Sequence, residues 1–254
     1  MGDNAIQSNN DCARFNLSER PTPGPAAHLA AVRTRIGQAA RTAGRNPADI
    51  GLIGVIKGVG AEVLRQATAL GLKDVGESYL QEALPKMAEL AELSLIWHFI
   101  GPLQSNKTRA VADHFAWVHG VDRLKLAERL SAQRPAGLPP LQVCLQVNVS
   151  GEASKGGVEE AQLAPLAQAV ARLPRLQLRG LMAIPAPASG LAAQRMPFAR
   201  LRALLEDLNS AGFALDTLSM GMSADLEAAI LEGATWVRVG TALFGARKKK
   251  AGEP

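Results

Sequence analysis

A lysine that ends an apolar segment is the first residue whose type and position could do chemistry. Lys57 is the last residue of IGLIGVIK, residues 50–57. Alternate side chains of a strand share one face, so Lys57 lies on the same face as Ile53 and Val55. If that face is the interior, burial lowers the pKa of the amine and exposes a nucleophile. The alternative is a lysine that extends from the strand end into water, and position alone favours this alternative by roughly three to one.

An arginine lies in a similarly apolar segment late in the chain. Arg238 is part of TWVRVGT, residues 235–241. Val237 and Val239 suit an outward face that is covered by helices. Trp236 and Arg238 then point inward. An interior guanidinium requires an anionic or acceptor partner, and the sequence leaves open whether this partner is a ligand or a neighbouring carboxylate.

Two glycine-containing turns, Gly221-Met222-Ser223 and Gly240-Thr241, each precede a predicted helix. Helix N-termini present free N–H groups and the positive end of the helix dipole, which suits a phosphate group. In barrel folds the phosphate site often uses the loops after strands seven and eight together with a short extra helix, and TALFGAR is a candidate for that helix. Ser223 has a second interpretation, because serine is also a common helix N-cap.

Two histidines, His98 and His119, end neighbouring strand-like segments. Neither has an Asp, Glu or Cys at the spacing of a metal site, so we expect no bound metal. We interpret both as packing or hydrogen-bonding residues, with His98 near the site. Lys107 and Lys155 are interpreted as solvated loop residues.

Alternating strand-like and helix-like segments position these residues. After an Ala-rich helical segment, residues 26–43, eight strand–helix units follow one another. This alternation predicts parallel βαβ crossovers, and eight units predict a single closed (β/α)8 barrel, an α/β fold with an extra N-terminal helix. The alternative is an open doubly wound sheet, but GVG follows Lys57 where a dinucleotide site would have GxGxxG. We expect a disordered leader in residues 1–25, the barrel in 26–247 and a basic flexible tail in 248–254.

The composition is that of a globular protein, and its net charge suits a small anionic ligand. Of 254 residues, 47% are hydrophobic and 20% are charged. Aromatic residues make up only 4%, which argues against a stacking surface for single-stranded nucleic acid. The net charge of +5 is mild and suits a small anion better than nucleic acid. Cys12 and Cys144 have no metal-ligand spacing, and no targeting or membrane-spanning segment is visible, so we expect a reducing, cytoplasmic location.

Five segments together resemble a known family. They are WHFIGPLQSNK, GESYLQE, LQVNVSGEASKGG, LRGLMAIPAP and LSMGMSADLEAAILEGATWVRVGTALFGAR. They closely resemble the YggS/PROSC-type pyridoxal 5′-phosphate (PLP) homeostasis proteins, and the resemblance runs from the first predicted strand to Arg247. That family is similar to the barrel domain of alanine racemase and carries PLP as a Schiff base on a lysine at the end of the first strand.

The resemblance implies a PLP site and gives roles to residues of this sequence. Lys57 matches the Schiff-base lysine, and Arg238 matches the arginine that faces the pyridine nitrogen. The phosphate loops match Met220-Gly221-Met222-Ser223 and Gly240-Thr241. The implied cofactor-binding residues are Lys57, Ser78, His98, Met220, Ser223, Arg238, Gly240 and Thr241, with no catalytic residue and no metal.

The sequence departs from the family pattern near the lysine. Ile56 precedes Lys57 where the family usually has Ser or Thr, and by alternation Ile56 points outward. Ser78 replaces an asparagine near the cofactor, because the chain reads GESY where the family reads GENY. The GVG that follows Lys57 is also unusual and lies at the mouth of the pocket.

The resemblance implies a PLP carrier rather than an efficient enzyme. Arginine is permanently protonated and can only donate, so Arg238 favours a neutral pyridine ring, which is a weak electron sink. Racemisation also needs a second acid or base opposite the lysine. In the racemases a tyrosine from an additional C-terminal domain has this role, whereas the one tyrosine of this chain, Tyr79, lies in the second loop.

We therefore expect a protein of intracellular PLP homeostasis that makes transient contact with PLP-dependent apoenzymes. We expect a monomer without nucleic-acid or membrane partners. Two alternatives stay open. One is a PLP-dependent enzyme, such as a weak amino-acid racemase or lyase. The other is an unrelated phosphate-ligand barrel that uses Lys57 for a Schiff base with a sugar phosphate.

Overall fold

The computed structural model describes residues 24–151 and 156–245, and within them eight parallel strands close into a barrel. Each strand pairs with the next one along the chain. The last strand, β8 (Trp236–Val239), pairs with the first, β1 (Gly51–Val55), and places Arg238 opposite Ile53. The predicted (β/α)8 barrel is therefore confirmed, and the β1–β8 pairing excludes the open sheet.

Strands and helices alternate along the whole described chain. The other strands are β2 (Asp74–Glu77), β3 (Ile96–Phe99), β4 (Trp117–Val121), β5 (Leu141–Gln146), β6 (Leu176–Met182) and β7 (Thr217–Ser219). The helices are α1 (Pro25–Thr42), α2 (Ala61–Ala69), α3 (Leu80–Glu89), α4 (Thr108–His114), α5 (Leu124–Gln133), α6 (Glu160–Ala171), α7 (Leu191–Ser210), α8 (Leu226–Leu231) and α9 (Thr241–Phe244). No helix in these ranges is both long enough and apolar enough to cross a membrane.

Four expectations concern residues outside the described ranges. The predicted leader lies outside them except for its last two residues, and Pro25 already begins α1. The predicted tail, Cys12 and Lys155 lie wholly outside them.

The main apolar core lies between the sheet and the surrounding helices. The outward side chains of Val118, Val237 and Val239 are fully buried there, in one cluster with Leu126 of α5 and Ile230 of α8. A parallel sheet that is covered by helices needs such apolar side chains on its outer face. The predicted outward orientation of Val237 and Val239 is the one observed.

The barrel interior is aromatic and polar, whereas branched aliphatic residues usually fill this fold. His98 stacks on Trp117 with ring centroids 5.6 Å apart, and Trp117 meets Trp236 edge to face at 6.0 Å. Gly51 makes room for Trp236, since a Cβ at Gly51 would lie 2.3 Å from the indole ring. Polar groups buried in such an interior must hydrogen-bond to one another.

Helix α1 covers the outside of the barrel where the last helices lie. Its buried residues include Val32 and Ile36, and the helix packs against α8 and α9. Arg35 donates from Nε and Nη2 to the Glu227 carboxylate at 2.6 and 2.8 Å, and from Nη2 to the Ser223 carbonyl at 3.0 Å. The first helix thus supports the loop that follows β7.

Candidate functional site

A cavity of about 630 Å³ opens at the carboxyl ends of β1 and β8. Binding and catalytic residues of this fold lie at this end of the barrel. The walls come from the loop after β1, the loop after β7 and the turn into α9. Five of the residues that the family resemblance implies as cofactor-binding line the cavity: Lys57, Ser223, Arg238, Gly240 and Thr241.

Lys57 lies two residues beyond the end of β1 and borders the cavity. Its side chain faces away from Ile56, which is fully buried in a separate cluster that includes Leu64 and Val75. Its Nζ lies 3.3 Å from the Tyr79 hydroxyl and 4.4 Å from the centroid of the Tyr79 ring. The amine is therefore at the cavity wall, in contact with an aromatic side chain that is 45% exposed.

Three charged residues to which the sequence analysis gave no role hold the backbone on both sides of Lys57. Lys86 of α3 donates to the Ile56 carbonyl at 2.7 Å and to the fully buried Glu77 carboxylate at 2.5 Å. The Gly58 N–H donates to Glu82 at 2.9 Å. Burial alone would raise the pKa of Glu82, but the Gly58 N–H and the charges of Lys86 and Lys57 outweigh it and hold this pKa below its usual value. The signals in the sequence were the i, i+4 spacing of Glu82 and Lys86 and the presence of Glu77 and Glu82 in the GESYLQE segment.

Arg238 is 3% exposed and lies at the inner end of the cavity. Its Nη1 donates to Ser219 Oγ at 2.7 Å, and its Nη2 donates to the Ala183 carbonyl at 2.9 Å. Burial lowers the pKa of its guanidinium to about 10, so the group stays protonated at neutral pH. Among the described residues it forms no ion pair with a carboxylate, so the structural ion pair considered as an alternative is absent there.

The turns after β7 and β8 are tied to each other. Ser223 Oγ accepts a hydrogen bond from the Ala242 N–H at 3.3 Å, and this bond joins the loop after β7 to α9. Ser223 is not the N-cap of α8, because Asp225 holds that position and accepts the Met222 N–H at 2.6 Å. Gly221 has a φ of +89°, and a Cβ there would lie 2.5 Å from Ala229 Cβ, so this turn requires glycine.

Three of the implied cofactor residues lie elsewhere. Ser78 lines a neighbouring depression of about 370 Å³ that also contains Tyr79 and Lys107. Met220 is fully buried, and Met222 of the same loop lines the cavity. His98 is fully buried in the barrel interior.

His98 nevertheless connects to the cavity through buried hydrogen bonds. Its Nδ1 lies 3.0 Å from His119 Nε2, and its Nε2 lies 3.0 Å from Asp74 Oδ1. His119 Nδ1 lies 2.8 Å from Ser219 Oγ, and the same oxygen accepts a hydrogen bond from Arg238. Burial lowers the pKa of His98. The pKa of His119 is well below its usual value, because burial and the nearby charges of His98 and Arg238 all disfavour its protonated form.

The cavity has the charge of an anion site. Lys57 and Arg238 both border it, and none of the described residues that line it is a carboxylate. A primary amine in such a wall can condense with a carbonyl group. The described ranges contain no group of three or more His, Cys, Asp or Glu side chains that could hold a metal. The arrangement suits a small anionic ligand that carries a carbonyl group.

Comparison with known proteins gives consistent matches over the barrel. The sequence model of the alanine racemase N-terminal domain matches residues 27–248. A protein of Pseudomonas aeruginosa named pyridoxal phosphate homeostasis protein is 67% identical over 222 residues, which cover 87% of this chain and 95% of that protein.

Solved structures show the same barrel. PipY of Synechococcus elongatus PCC7942 with PLP bound superposes with a TM-score of 0.76 at 38% identity, covering 87% of this chain and 100% of PipY. Alanine racemase of Corynebacterium glutamicum superposes with a TM-score of 0.63 at 19% identity, covering 89% of this chain and 63% of the racemase. The latter match concerns the fold alone.

Proposed function

The chain belongs to the family of pyridoxal phosphate homeostasis proteins, and from this premise we propose that it binds PLP and takes part in PLP homeostasis. The observation that carries the proposal is the cavity in which the Lys57 amine and the Arg238 guanidinium border the same space without a lining carboxylate. PLP needs an amine for its aldehyde, donors for its phosphate and a partner for its ring nitrogen, and the described residues offer all three.

Each polar group of PLP has residues that would hold it. The Lys57 amine would condense with the aldehyde, forming a carbon–nitrogen double bond and releasing water. The phosphate would be held by Ser223, Gly240 and Thr241. Helix α9 begins at Thr241, and its first N–H has no acceptor inside the helix, so it can donate to the phosphate. Arg238 would donate to the ring nitrogen. When bound, PLP supplies a reactive aldehyde on an electron-withdrawing ring.

Absorption spectroscopy with borohydride reduction tests this proposal. The protein with PLP should show a visible band that borohydride abolishes, and peptide mapping should find the reduced adduct on Lys57. Lys57→Ala should lose the adduct and keep its fold, whereas Lys125→Ala, at an exposed position of α5, should behave as the unmodified protein. An adduct only on another lysine would contradict the role of Lys57. Adduct formation with a sugar phosphate but not with PLP would contradict PLP as the ligand.

We further propose that the protein holds PLP without efficient catalysis. Arg238 is protonated and hydrogen-bonded on two sides, so it can only donate to a ring nitrogen and disfavours protonation of that nitrogen. An unprotonated ring withdraws electrons weakly. With Arg238→Glu the ring nitrogen can be protonated, and any trace of proton exchange at Cα should rise.

One observation favours a second candidate function, a weak PLP-dependent racemase or lyase. The Tyr79 hydroxyl lies 3.3 Å from Lys57 Nζ, so a second proton-transfer group is close to the reactive amine. Following the Cα–H exchange of alanine in deuterium oxide separates the two functions. Brisk exchange by the unmodified protein that Tyr79→Phe abolishes would establish the enzyme, and negligible exchange by both would establish the carrier.

The proposal includes the setting in which the protein works. Cys144 is a free thiol that is buried in the barrel interior, which agrees with a reducing, cytoplasmic compartment. Transient contact with PLP-dependent apoenzymes would deliver the cofactor, and transfer to an added apoenzyme would reveal it. The monomeric state stays a prediction, which light scattering can test.

A further inference from the structure

Five side chains form a continuous hydrogen-bonded chain across the barrel interior. It runs from Arg238 through Ser219, His119 and His98 to Asp74, with donor–acceptor distances of 2.7, 2.8, 3.0 and 3.0 Å. Ser219, His119 and His98 are fully buried. Asp74 is the first residue of β2 and is 21% exposed in its side chain, so the chain ends at the opposite end of the barrel from the cavity.

The two ends of this chain fix the direction of every hydrogen bond between them. An ionised Asp74 carboxylate only accepts, so His98 donates to it from Nε2. A neutral His98 then has a bare Nδ1, which accepts from His119 Nε2. A neutral His119 likewise has a bare Nδ1, which accepts the Ser219 hydroxyl proton. The Ser219 oxygen is left to accept from the Arg238 guanidinium, which can only donate.

Protonation of His98 would break this order. A second proton would make His98 donate from Nδ1, which reverses the bonds to His119 and Ser219 and leaves Ser219 Oγ accepting from two N–H groups. Burial lowers the pKa of both imidazoles and opposes that state. The rings are also held in place, since Trp117 stacks on both with centroid distances of 5.6 Å.

We infer that four residues position Arg238, namely Ser219, His119, His98 and Asp74. Their hydrogen bonds all run in one direction, which keeps both imidazoles as neutral Nε2–H tautomers. The same hydrogen bonds fix the guanidinium that meets the ring nitrogen of PLP. The role toward PLP rests on the proposed function. The tautomers do not, because they follow from hydrogen bonds within the protein. Arg238 thus depends on a carboxylate at the far end of the barrel that does not line the cavity.

Nitrogen NMR of the full chain, labelled at histidine and free of PLP, tests the direction of the chain. His98 and His119 should each show a protonated Nε2 and a bare Nδ1, with assignments from the variants His98→Gln and His119→Gln. Asp74→Ala removes the acceptor at the end of the chain, so His98 should no longer be fixed in the Nε2–H tautomer. Asp74→Asn keeps an acceptor oxygen, so His98 should stay in that tautomer. A protonated Nδ1 at either histidine of the unmodified protein would overturn the inference.

Binding of PLP and of its 1-deaza analogue, in which a C–H group replaces the ring nitrogen, tests the positioning role. Ser219→Ala removes the side-chain acceptor of Arg238 and should raise the dissociation constant of PLP on the order of tenfold, since hydrogen bonds of charged groups are strong. Affinity for the analogue should stay unchanged, as should both affinities in Ser210→Ala, an exposed control on α7.

Equal losses for both ligands would reduce Ser219 to a structural role, and no loss for either would show that it does not position Arg238. If Ser219→Ala does not fold, the same comparison with Asp74→Ala decides, with Asp74→Asn as the rescue. Absence of PLP binding by the unmodified protein would contradict the proposed function, while the NMR measurement would still test the direction of the chain.

Discussion

Replacing Lys86 by methionine removes the cation that holds the backbone beside Lys57. Its Nζ contacts Glu77 at 2.5 Å and the Ile56 carbonyl at 2.7 Å, and its side chain is only 13% exposed. Glu77 is fully buried and keeps one other hydrogen bond, from the Ser78 N–H at 3.0 Å. Lys86→Met therefore leaves a buried carboxylate without its counter-charge.

The expected loss of stability follows from that unpaired charge. Breaking a buried ion pair by removing one partner costs about 3–5 kcal/mol of the free energy of unfolding. For a chain of this size that loss lowers the melting temperature by roughly 6–20 °C. The double variant Lys86→Met/Glu77→Gln removes both charges, so its loss should be only about 1–2 kcal/mol. Neither variant can donate to the Ile56 carbonyl, so both should bind PLP more weakly than the unmodified protein.

Denaturant titration and PLP titration measure the two effects separately. The double variant should recover most of the stability and little of the PLP affinity. Lys125→Met, at an exposed position, is the matched control and should change neither quantity. If the single and double variants lose equal stability, the charge of Glu77 is not what makes Lys86 necessary. If the double variant also regains full PLP affinity, the hydrogen bond to Ile56 does not position Lys57.

Two further predictions concern the phosphate turn and the buried histidines. A Cβ at Gly240 would lie 3.3 Å from Val55 Cβ, so in Gly240→Ala either Val55 or the turn into α9 moves by a few tenths of an ångström. The added methyl group also stands where the phosphate is proposed to bind, so the variant should weaken PLP about tenfold more than pyridoxal in competition titrations. Equal losses would place the phosphate elsewhere. Burial holds the pKa of His119 in the folded protein below its usual value of 6.5. As the pH falls, the imidazole is therefore protonated in the unfolded chain before it is protonated in the folded protein. The free energy of unfolding should thus decrease as the pH drops below 6.5. His119→Gln should flatten this dependence and the exposed His114→Gln should not; identical pH profiles for the two would refute it.

The strand–helix alternation predicted the barrel, and the alternation of side chains placed Arg238 with Trp236 on the inner face. For Lys57 it gave only a face shared with Val55. Position alone favoured a lysine that extends into water, and the role of Lys57 came from the family resemblance. The structure places Ile56 and Val239 on the outer face and the two cations at one cavity. The pairing of β1 with β8 follows from closure of the barrel, which the count of eight units predicts.

The contacts between side chains of different strands and loops could not be predicted in this way. Glu77 and Lys86 lie on neighbouring elements, and nothing in their spacing shows that Lys86 donates both to Glu77 and to the Ile56 carbonyl. His98 and His119 could be interpreted as hydrogen-bonding residues, but the contact of His119 with Ser219 joins β4 to β7, which are distant in sequence. Such contacts depend on distances across the barrel, which periodicity does not contain.

The position of the cavity between β1 and β8 has a consequence for how the protein is made. Lys57 lies just after β1, the first of the described strands, and Arg238, Gly240 and Thr241 belong to the last part of the barrel. Because the pairing of these strands closes the barrel, no N-terminal fragment can assemble the site while the chain is still emerging from the ribosome. Helix α1 must likewise wait for Glu227 and Ser223 before Arg35 finds its partners. The ligand therefore meets its full set of contacts only after the two ends of the barrel have joined, and binding reports the completion of folding.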